Sequence, residues 1–533
     1  MNRRKFISAA TGALGALGLN GKGHASQSTA GANEIPAAGL SGSIPNVLVL
    51  MTDQHRRSCM GVAGDTVAIT PNLDKLARES VRFTDAYCTN PVCGPSRASI
   101  LTGLYTHHLD ARGNSSPFSP RHKTIADDFA RAGYFTALIG KMHMVDAQTH
   151  GFNYKLEFND WWQYLGPKTK MYADELGKPN VGAGLPEIPG LWTEEGDPWK
   201  GDRTPDGRLG SVAVGRPSSM EEQDHFENFV ARESIRFLEK YAGENRPFLL
   251  VSSLLKPHDP FMPATRFANM FEADKMTLSK TWGKADLEHL PRAVAESIKS
   301  CRYTPELVHA SAARRRMASY YGNLAQSDDC VGKILAALSR LGLDRNTIVV
   351  YTSDHGEMLG DLGLWNKFQF YEGSCGIPLT FRLPGAAPAV CSQPVSLISL
   401  KATLAELCGV PISKPNDGNS FAYLLRNPAS QRSYGPVFAE YDLGLETAKY
   451  MVRDGEYKYT FWVHDLAELY NLRNDPEEMH NLAQRNEHRE TVEHLKHRLF
   501  AWHRPAELDQ AQRQSVSRRA SNRKSALALR AAR

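Results

Sequence analysis

Four uninterrupted apolar segments of strand length constrain this fold more than any other feature of the sequence. Helical spacings of apolar residues separate them; one helix pattern starts at Thr70-Pro71, and another stops at Gly342. Strands that are apolar throughout and alternate with helices are typical of a mostly parallel sheet covered on both faces. The sequence therefore predicts an α/β fold with a large, mostly parallel (mixed) sheet between helices. The four segments are residues 47–51, 135–139, 248–255 and 347–352.

The pattern changes in the C-terminal third of the chain. Residues 396–408 have the spacing of a helix, whereas 450–459 read as a hairpin with Asp454-Gly455 in its turn. This mixture predicts a smaller α+β domain. The predicted divisions are a large domain at 44–388, with a Gly-, Pro- and Trp-rich insertion of long loops at 160–225, a C-terminal domain at 389–505 and a disordered basic tail at 506–533.

The N-terminus has the pattern of a targeting segment. Arg3-Arg4 precedes a weakly apolar, Gly- and Ala-rich run at 7–19, which is too short to span a membrane. Paired arginines before such a run are typical of a twin-arginine signal, which exports folded proteins. We expect a signal peptide at 1–25, a linker at 26–43, the twin-arginine machinery as a partner and a periplasmic or secreted location. The alternative is a disordered tail with a chance arginine pair.

Composition excludes several classes of protein. The 533 residues are 41% hydrophobic and 23% charged, which argues against a disordered chain and a multi-span membrane protein. The net charge is only +5, without a basic block interleaved with aromatics, so nucleic-acid binding is not expected. None of the eight cysteines forms a C-x-x-C pair for zinc or redox work.

Chemically active side chains follow each of the four apolar segments. Ligands of parallel sheets bind outside the carboxyl ends of the strands, so these residues are expected to meet at one edge of the sheet. A single polar strand end is more often a solvated loop, but four together predict a metal site beside a cationic pocket. The strand ends are Asp53-Gln54-His55, Gly140-Lys141-Met142-His143, Lys256-Pro257-His258-Asp259 and Ser353-Asp354-His355-Gly356-Glu357.

The donors divide by charge into a metal set and an anion-binding set. Asp53, Asp354, His355 and the amide oxygen of Gln54 suit Ca²⁺, Mg²⁺ or Mn²⁺ better than a thiolate-binding metal. The cations suit an anionic tetrahedral group held against that metal. The predicted anion-binding side chains are Lys141, His143, Lys256, His258 and Lys367.

Cys93 lies in a Gly- and Pro-containing loop before a predicted helix at 96–104. Backbone N–H groups and the helix dipole favour an anion or thiolate at such a position. A lone cysteine is more often a small buried apolar residue, so spacing alone leaves both interpretations open.

The residues around Cys93 resemble a known motif. Cys93-x-Pro95-Ser96-Arg97, followed by Ala-Ser-Ile-Leu-Thr-Gly, is similar to the motif of type I sulfatases, in which the cysteine is oxidised to formylglycine. The resemblance implies the fold of the alkaline phosphatase superfamily, a small C-terminal sheet domain and maturation by a formylglycine-generating enzyme. It extends through Asn46-Val47, Gly140-Lys141-x-His143, Ser353-Asp354-His355-Gly356-Glu357, Glu468-Leu469-Tyr470-Asn471-Leu472 and Asp475-Pro476.

The resemblance also implies catalytic roles. Cys93, as hydrated formylglycine, would bind the metal and attack sulfur, and its second hydroxyl would then expel sulfate. Arg97 and Lys141 would hold the hydrated aldehyde, and His143 would orient or deprotonate it. His258 or Lys367 would protonate the leaving oxygen, and Lys256 would bind substrate.

The metal positions depart from the commonest sulfatase pattern. Many sulfatases have two successive carboxylates after the first strand and Asp-Asn at the later pair, whereas this chain has Asp53-Gln54 and Asp354-His355. This combination resembles the branch that contains choline sulfatases and phosphonate monoester hydrolases. Calcium is expected, with manganese or magnesium as alternatives.

Three classes of function follow. The first is a sulfuric ester hydrolase, the second a phosphonate monoester or phosphodiester hydrolase with the same site, and the third a non-catalytic anion-binding module. The substrate is expected to be a sulfated small molecule or saccharide. Aromatic residues at 161, 162, 164, 192 and 199 could stack on a sugar or enclose a quaternary ammonium, although such residues are more often core or loop anchors.

Overall fold

A nine-stranded mixed sheet forms the centre of the molecule in the computed structural model, which describes residues 44–109, 113–114, 119–143, 148–172, 217–299, 310–505, 507 and 510. The strand order is β4-β3-β5-β1-β6-β7-β2-β8, and β9 pairs with β2. The strands are β1 Asn46–Asp53, β2 Val81–Tyr87, β3 Phe135–Gly140, β4 Tyr154–Leu156, β5 Phe248–Pro257, β6 Thr347–Ser353, β7 Gly376–Arg382, β8 Ala389–Cys391 and β9 Val395–Ser396.

The four predicted apolar strands are confirmed as neighbours in the order β3, β5, β1 and β6, all parallel. The sheet is mixed because β7 runs antiparallel to both of its neighbours, β6 and β2. The four adjacent parallel strands therefore end at the same edge, where the sequence placed the chemistry.

Helices cover both faces of this sheet. Alternate residues of β1 enter opposite cores: Leu48 and Leu50 pack on one face, and Val47, Val49 and Met51 on the other. The helices are α1 Pro71–Arg78, α2 Cys93–Thr102, α3 Ile125–Arg131, α4 Phe158–Leu165, α5 Lys168–Met171, α6 Phe226–Tyr241, α7 Thr265–Ala268, α8 Arg292–Lys299, α9 Ala310–Arg340, α10 Glu372–Cys375, α11 Leu400–Cys408, α12 Ala422–Arg426 and α13 Arg489–Trp502.

A four-stranded antiparallel sheet forms the C-terminal part, as predicted. Its strands are β10 Val437–Tyr441, β11 Lys449–Asp454, β12 Tyr457–Trp462 and β13 Glu468–Asn471. The predicted hairpin joins β11 to β12, and Gly455 has the left-handed backbone (φ 58°) that the turn requires. Leu495 and Leu499 of α13 pack against this sheet.

The sequence-based boundary at 389 is not marked by a change of sheet. The first strands after it, β8 and β9, pair with β2 of the large sheet, and the small sheet begins only at Val437. The short strands at 389–391 and 395–396 gave too little periodicity to be assigned from sequence.

Part of the predicted long-loop insertion is helical. Trp161 lies on α4, is buried, and donates its indole N–H to the Asp224 carbonyl at 2.8 Å, so it is a core anchor. The predicted signal peptide and linker, nearly all of the basic tail, and Trp192 and Trp199 lie outside the described residues. Within the described part of the chain, every helix is too short or too polar to cross a bilayer.

Candidate active site

The carboxyl ends of β1, β3, β5 and β6 bring the predicted side chains together in a buried cluster. Asp53, Gln54, Lys141, Asp354 and His355 are fully buried. Such polar groups are tolerated inside a protein only when each finds a partner. Their partners are largely one another, as the distances below describe.

Cys93 enters the cluster from the N-terminus of α2. The helix begins at Cys93, three residues earlier than predicted, because Val92 is extended and its carbonyl accepts the first helical bond from Ser96 at 2.9 Å. Pro95 suits the first turn, where a missing N–H costs nothing, and the Gly94 N–H donates to Asn114 Oδ1 at 2.9 Å. The positive end of the helix dipole therefore lies at position 93.

Four donor residues converge on one point. Cys93 Sγ lies 3.1 Å from His355 Nε2 and 3.7 Å from Asp53 Oδ1, and His355 Nε2 lies 3.8 Å from both Asp53 Oδ1 and Asp354 Oδ1. One donor atom from each residue falls within 4.8 Å of the others. Two carboxylates, one imidazole and the residue at 93 thus form a group that can hold a divalent metal.

The tautomer of His355 fits this role. Its Nδ1 faces the Gly356 carbonyl at 3.0 Å, so that nitrogen carries the proton and donates it. In the metal-free protein, burial lowers the pKa of His355, but Asp354 and Cys93 raise it above its ordinary value, so Nε2, which faces Cys93, holds a proton that a bound metal would displace. A backbone carbonyl that fixes the ring in this way is the usual support of a metal-binding histidine.

Arg97 holds the two carboxylates in place. Its Nε donates to Asp354 Oδ2 at 2.6 Å, and its NH2 group donates to Asp53 Oδ2 at 2.9 Å. Lys141 Nζ adds a contact of 2.5 Å to Asp53 Oδ2. Burial and Cys93 raise the pKa of Asp53, but Lys141, His258 and Arg97 outweigh them and keep its pKa well below the usual value.

The cations also act on Cys93. Burial raises the pKa of its thiol, but Lys141, Lys367 and His355 lower it, so that the net pKa lies well below that of an ordinary cysteine. His143 hydrogen-bonds to Cys93, while burial lowers the pKa of the His143 imidazole. The Nδ1 atom of His143 has no hydrogen-bond partner within the described part of the chain. Position 93 is therefore surrounded by groups that favour an anion.

Lys367 and His258 form a proton-bearing pair at the rim of the cluster. His258 Nδ1 donates to the Asp259 carbonyl at 2.7 Å, which leaves Nε2 to accept from Lys367 Nζ at 2.8 Å. Lys367 also donates to Gln54 Oε1 at 2.5 Å. Burial lowers the pKa of Lys367, but Cys93 and Asp259 raise it above its ordinary value, so the amine stays protonated.

The side chain of Gln54 joins Lys367 to Glu357. Its Oε1 accepts from Lys367, and its Nε2 donates to Glu357 Oε2. The amide oxygen predicted as a metal ligand is thus engaged by an ammonium group. Lys256, predicted to bind substrate, is close to Glu227 Oε2 of α6 (3.7 Å), and its charge is partly compensated there.

Sequence reasoning assigned no role to Glu357. This buried carboxylate accepts from Leu359 N at 3.0 Å and Asn366 N at 2.6 Å, and it bonds Gln54 as well. It therefore fixes the loop that presents Lys367. The sequence did place Glu357 in the fourth strand-end motif. Sequence spacing cannot show, however, that a carboxylate binds backbone N–H groups.

Left-handed backbone conformations are concentrated at the site. Gln54 (φ 66°), His143 (φ 61°), Asn366 (φ 65°) and Phe368 (φ 80°) are all non-glycine residues. Such conformations cost roughly 1 kcal/mol or more each and persist where surrounding contacts impose them, often at functional sites.

Comparisons with known proteins agree with this geometry. The sulfatase family profile matches residues 45–410, and the profile described as N-sulphoglucosamine sulphohydrolase, C-terminal, matches 360–504. The choline-sulfatase of Rhizobium meliloti is 30% identical over 447 residues, which cover 83% of this chain and 82% of that protein. The arylsulfatase of Clostridium perfringens is 29% identical over 461 residues, covering 85% and 93%.

A solved structure of a further enzyme shares the fold. The crystal structure of the phosphonate monoester hydrolase of Agrobacterium radiobacter matches with a TM-score of 0.70 at 23% identity, over 86% of this chain and 95% of that chain. This similarity concerns the fold and confirms the expected alkaline phosphatase-like architecture. From the profile match, the curated relatives and this architecture, we conclude that the chain is an enzyme that belongs to the sulfatase family.

Proposed function

We propose that this enzyme cleaves a sulfate monoester with a formylglycine formed from Cys93 and one divalent metal ion. The observation that carries the proposal is the convergence of Cys93, Asp53, Asp354 and His355 on one point, with one donor atom of each within 4.8 Å of the others. Buried cations, among them Lys141, adjoin this point and suit an anionic group.

The metal would be held by Asp53, Asp354, His355 and the residue at 93. Calcium is proposed because two carboxylates dominate the donor set, with manganese or magnesium as alternatives. When bound, the ion supplies Lewis-acid polarisation of the sulfate ester. Arg97 keeps both carboxylates oriented and offsets part of their charge before any metal arrives.

Position 93 provides the nucleophile. Hydrated formylglycine supplies two hydroxyl groups, one for attack on sulfur and one for release of sulfate, whereas a thiol offers no such second step. Lys141 neutralises charge next to this position, and His143, which hydrogen-bonds to Cys93, can orient or accept a proton from a hydroxyl there. The helix dipole of α2 adds to this stabilisation.

Lys367 and His258 supply the leaving-group proton. Two protons of the Lys367 ammonium are engaged by Gln54 Oε1 and His258 Nε2, which leaves the third free to point at the ester oxygen. His258 can transfer a proton only after its Nε2 receives one from Lys367. The pair therefore acts as one general acid in this proposal.

The substrate class is proposed to be a sulfated small molecule or a sulfated saccharide. The similarity to a choline-sulfatase and an arylsulfatase supports small esters. Turnover of choline sulfate, aryl sulfates and sulfated sugars, measured side by side, distinguishes these substrates.

Maturation and export complete the proposal. Folding in the cytoplasm would let a formylglycine-generating enzyme act on Cys93 before twin-arginine export to the periplasm or the medium. Replacing Arg3 and Arg4 by lysine should leave precursor in the cytoplasm; unchanged export would contradict this route.

The decisive test is the mass of the peptide that contains residue 93, from enzyme purified from its native host. We expect the mass of an aldehyde or its hydrate in place of the thiol. A wholly unmodified Cys93 in fully active enzyme would falsify the mechanism. Cys93→Ala, with an unchanged circular dichroism spectrum, should have no measurable turnover.

A phosphonate monoester or phosphodiester hydrolase is the second candidate. The Asp354-His355 pair and Gln54 support it as an alternative, because they resemble the metal positions of the branch that contains both choline sulfatases and phosphonate monoester hydrolases. Both candidates use the same residues, so only a comparison of substrates separates them.

A further inference from the structure

A second cluster of metal-binding side chains lies outside the active site, where three segments of the chain meet. His107 belongs to the turn after α2, Glu440 to β10, and His503 follows the last residue of α13. One donor atom of each falls within 4.8 Å of the others. The ring of His108 adjoins the cluster, 4.1 Å from that of His107 between centroids.

Carboxylates hold two of these imidazoles in place. His107 Nδ1 lies 2.8 Å from Glu440 Oε2, and His108 Nδ1 lies 2.8 Å from Asp417 Oδ2. In the metal-free protein, His107 Nδ1 and Glu440 Oε2 share a proton. An ion bound between them would take the place of that proton.

His503 supplies a nitrogen that the protein leaves unpaired. Its Nε2 is buried and has no hydrogen-bond partner among residues that the structure describes, although its ring stacks on His107 with centroids 4.3 Å apart. A buried imidazole nitrogen without a partner is costly unless an ion or a water binds it.

Glu440 supplies the negative charge. Its side chain is fully buried and accepts from Thr106 Oγ1 at 2.6 Å and from His107 N at 2.8 Å. In the described part of the chain its one close ion-pair partner is His107, and no lysine or arginine pairs with it. A divalent ion would supply the positive charge that lysine and arginine do not bring to this carboxylate.

We propose that His107, His503 and Glu440 form a second metal site for a divalent transition ion of the zinc class, with His108 beside it. Two imidazoles and one carboxylate are the donors of a three-residue zinc site that leaves a further position open. This set is richer in nitrogen than the active site, so the two centres prefer different ions. The bound ion would tie the end of α13 to β10 and to the turn that follows α2.

Zinc binding to Asp354→Ala, which lacks a carboxylate of the active-site donor set, tests the proposal. The untagged, full-length variant should bind Zn²⁺ by isothermal titration calorimetry after treatment with a chelator, and one equivalent of that zinc should occupy the second site. Adding His503→Ala should weaken that binding about a hundredfold or abolish it. His497→Ala, at an exposed histidine of the same helix, is the matched control and should leave binding unchanged.

A spectroscopic measurement guards against variants that fold poorly. Co²⁺ should give visible absorption typical of nitrogen and oxygen donors in the Asp354→Ala protein, and the conservative change His503→Gln should remove it while the unfolding temperature of the metal-free protein stays similar. Failure of Asp354→Ala to bind Zn²⁺, or equal binding with and without His503, would overturn the proposal. Either result would mean that a protonated His107 balances the charge of Glu440 without a bound ion.

Discussion

At the scale of single residues, Gln54 links the side chain of Lys367 to that of Glu357. The sequence placed its amide oxygen among the metal ligands, but in the structure this oxygen accepts from Lys367, and the amide nitrogen donates to Glu357. A glutamine can bridge an ammonium and a carboxylate because one end accepts and the other donates. A second aspartate at this position could accept from Lys367 but could not donate to Glu357.

Gln54→Ala should therefore separate metal binding from proton transfer. We expect metal content close to that of the wild type and a kcat lower by about a hundredfold, since Lys367 loses the acceptor that orients it as the general acid. Asp354→Ala, the matched change at a donor of the metal cluster, should lose the active-site metal. Elemental analysis and steady-state kinetics on both variants give the answer, and loss of metal from Gln54→Ala would return that residue to the ligand set.

The sequence predicted which residues lie at the site better than it predicted which residues contact one another. Asp53, Lys141, His258 and Asp354 could be placed at one edge because parallel strands end together. The Glu227 partner of Lys256 could not, because it lies on α6 and its approach depends on how that helix packs. Spacing along one strand carries no information about a side chain contributed by another layer.

At the scale of the element, Gly140 sets the direction in which the chain leaves β3 and so determines the position of Lys141. Its backbone is left-handed (φ 110°), and a Cβ there would overlap the carbonyl oxygen of Ser253 on β5. That carbonyl also accepts from Lys141 N at 2.8 Å. The close approach of two backbones at this point requires glycine.

Gly140→Ala should lose both stability and activity, because the end of β3 must move away from β5 and carry Lys141 with it. Gly133→Ala is the control: Gly133 is also left-handed (φ 95°) but has open space around it. The control should cost only about 1 kcal/mol of backbone strain and keep its kcat. The free energy of unfolding in urea and the kcat should both fall further in Gly140→Ala than in Gly133→Ala. Equal losses in the two variants would mean that the contact with Ser253 is unimportant.

Loss of the charge on two buried lysines of the small sheet should have opposite effects on stability. Lys458 lies 2.7 Å from Glu372 and 2.6 Å from Glu478, whereas Lys449 faces the Trp462 ring and donates to Gln369 Oε1 at 2.5 Å. Burial lowers the pKa of Lys449 to about 8. The folded state therefore releases this proton at a lower pH than the unfolded chain does.

The free energy of unfolding should rise with pH above 8, because there the unfolded state binds more protons at Lys449 than the folded state. The gain is about 3 kcal/mol by pH ~10.5, and Lys449→Met should remove it. Lys458→Met should instead destabilise by roughly 3–5 kcal/mol, since it leaves the buried Glu478 without its paired cation, whereas Glu372 keeps Arg57. Denaturant unfolding across this pH range measures both; an unchanged pH slope in Lys449→Met would contradict the assignment.

Strands apolar on both faces were the elements best predicted from sequence. The segment at 47–51 became β1, with one residue added before it and two after it, and the segment at 347–352 became β6, with one residue added after it. Segments this apolar are buried on both faces of a parallel sheet. The antiparallel direction of β7 was not predictable, since a strand's sequence does not encode which neighbour it pairs with. The short β8 and β9 join the large sheet through pairing with β2, a contact between segments some 300 residues apart.

At the scale of the whole molecule, the charge of the site decides which esters it can take. Asp53 and Asp354 would formally balance a divalent ion, and Arg97, Lys141 and Lys367 add positive charge around them, so the site would keep a net positive charge. Glutamine at 54 removes one negative charge that an aspartate would bring. This balance suits a singly charged ester group, whereas a phosphate monoester dianion would need further cations.

Sulfate monoesters and phosphonate monoesters both carry one negative charge, so charge alone does not distinguish them. We expect a higher kcat/KM for an aryl sulfate than for the matched aryl phosphonate ester, because the two relatives described above are sulfatases and the similarity to the phosphonate monoester hydrolase concerns the fold. The two esters should share one leaving group, so that their ratio of kcat/KM reports differential binding of the transition states. Cys93→Ala should lose both activities together if they share the site. A phosphonate advantage of about a hundredfold, which corresponds to about 2.7 kcal/mol in the transition state, would assign the enzyme to the phosphonate class while Cys93 and the metal donors keep their roles.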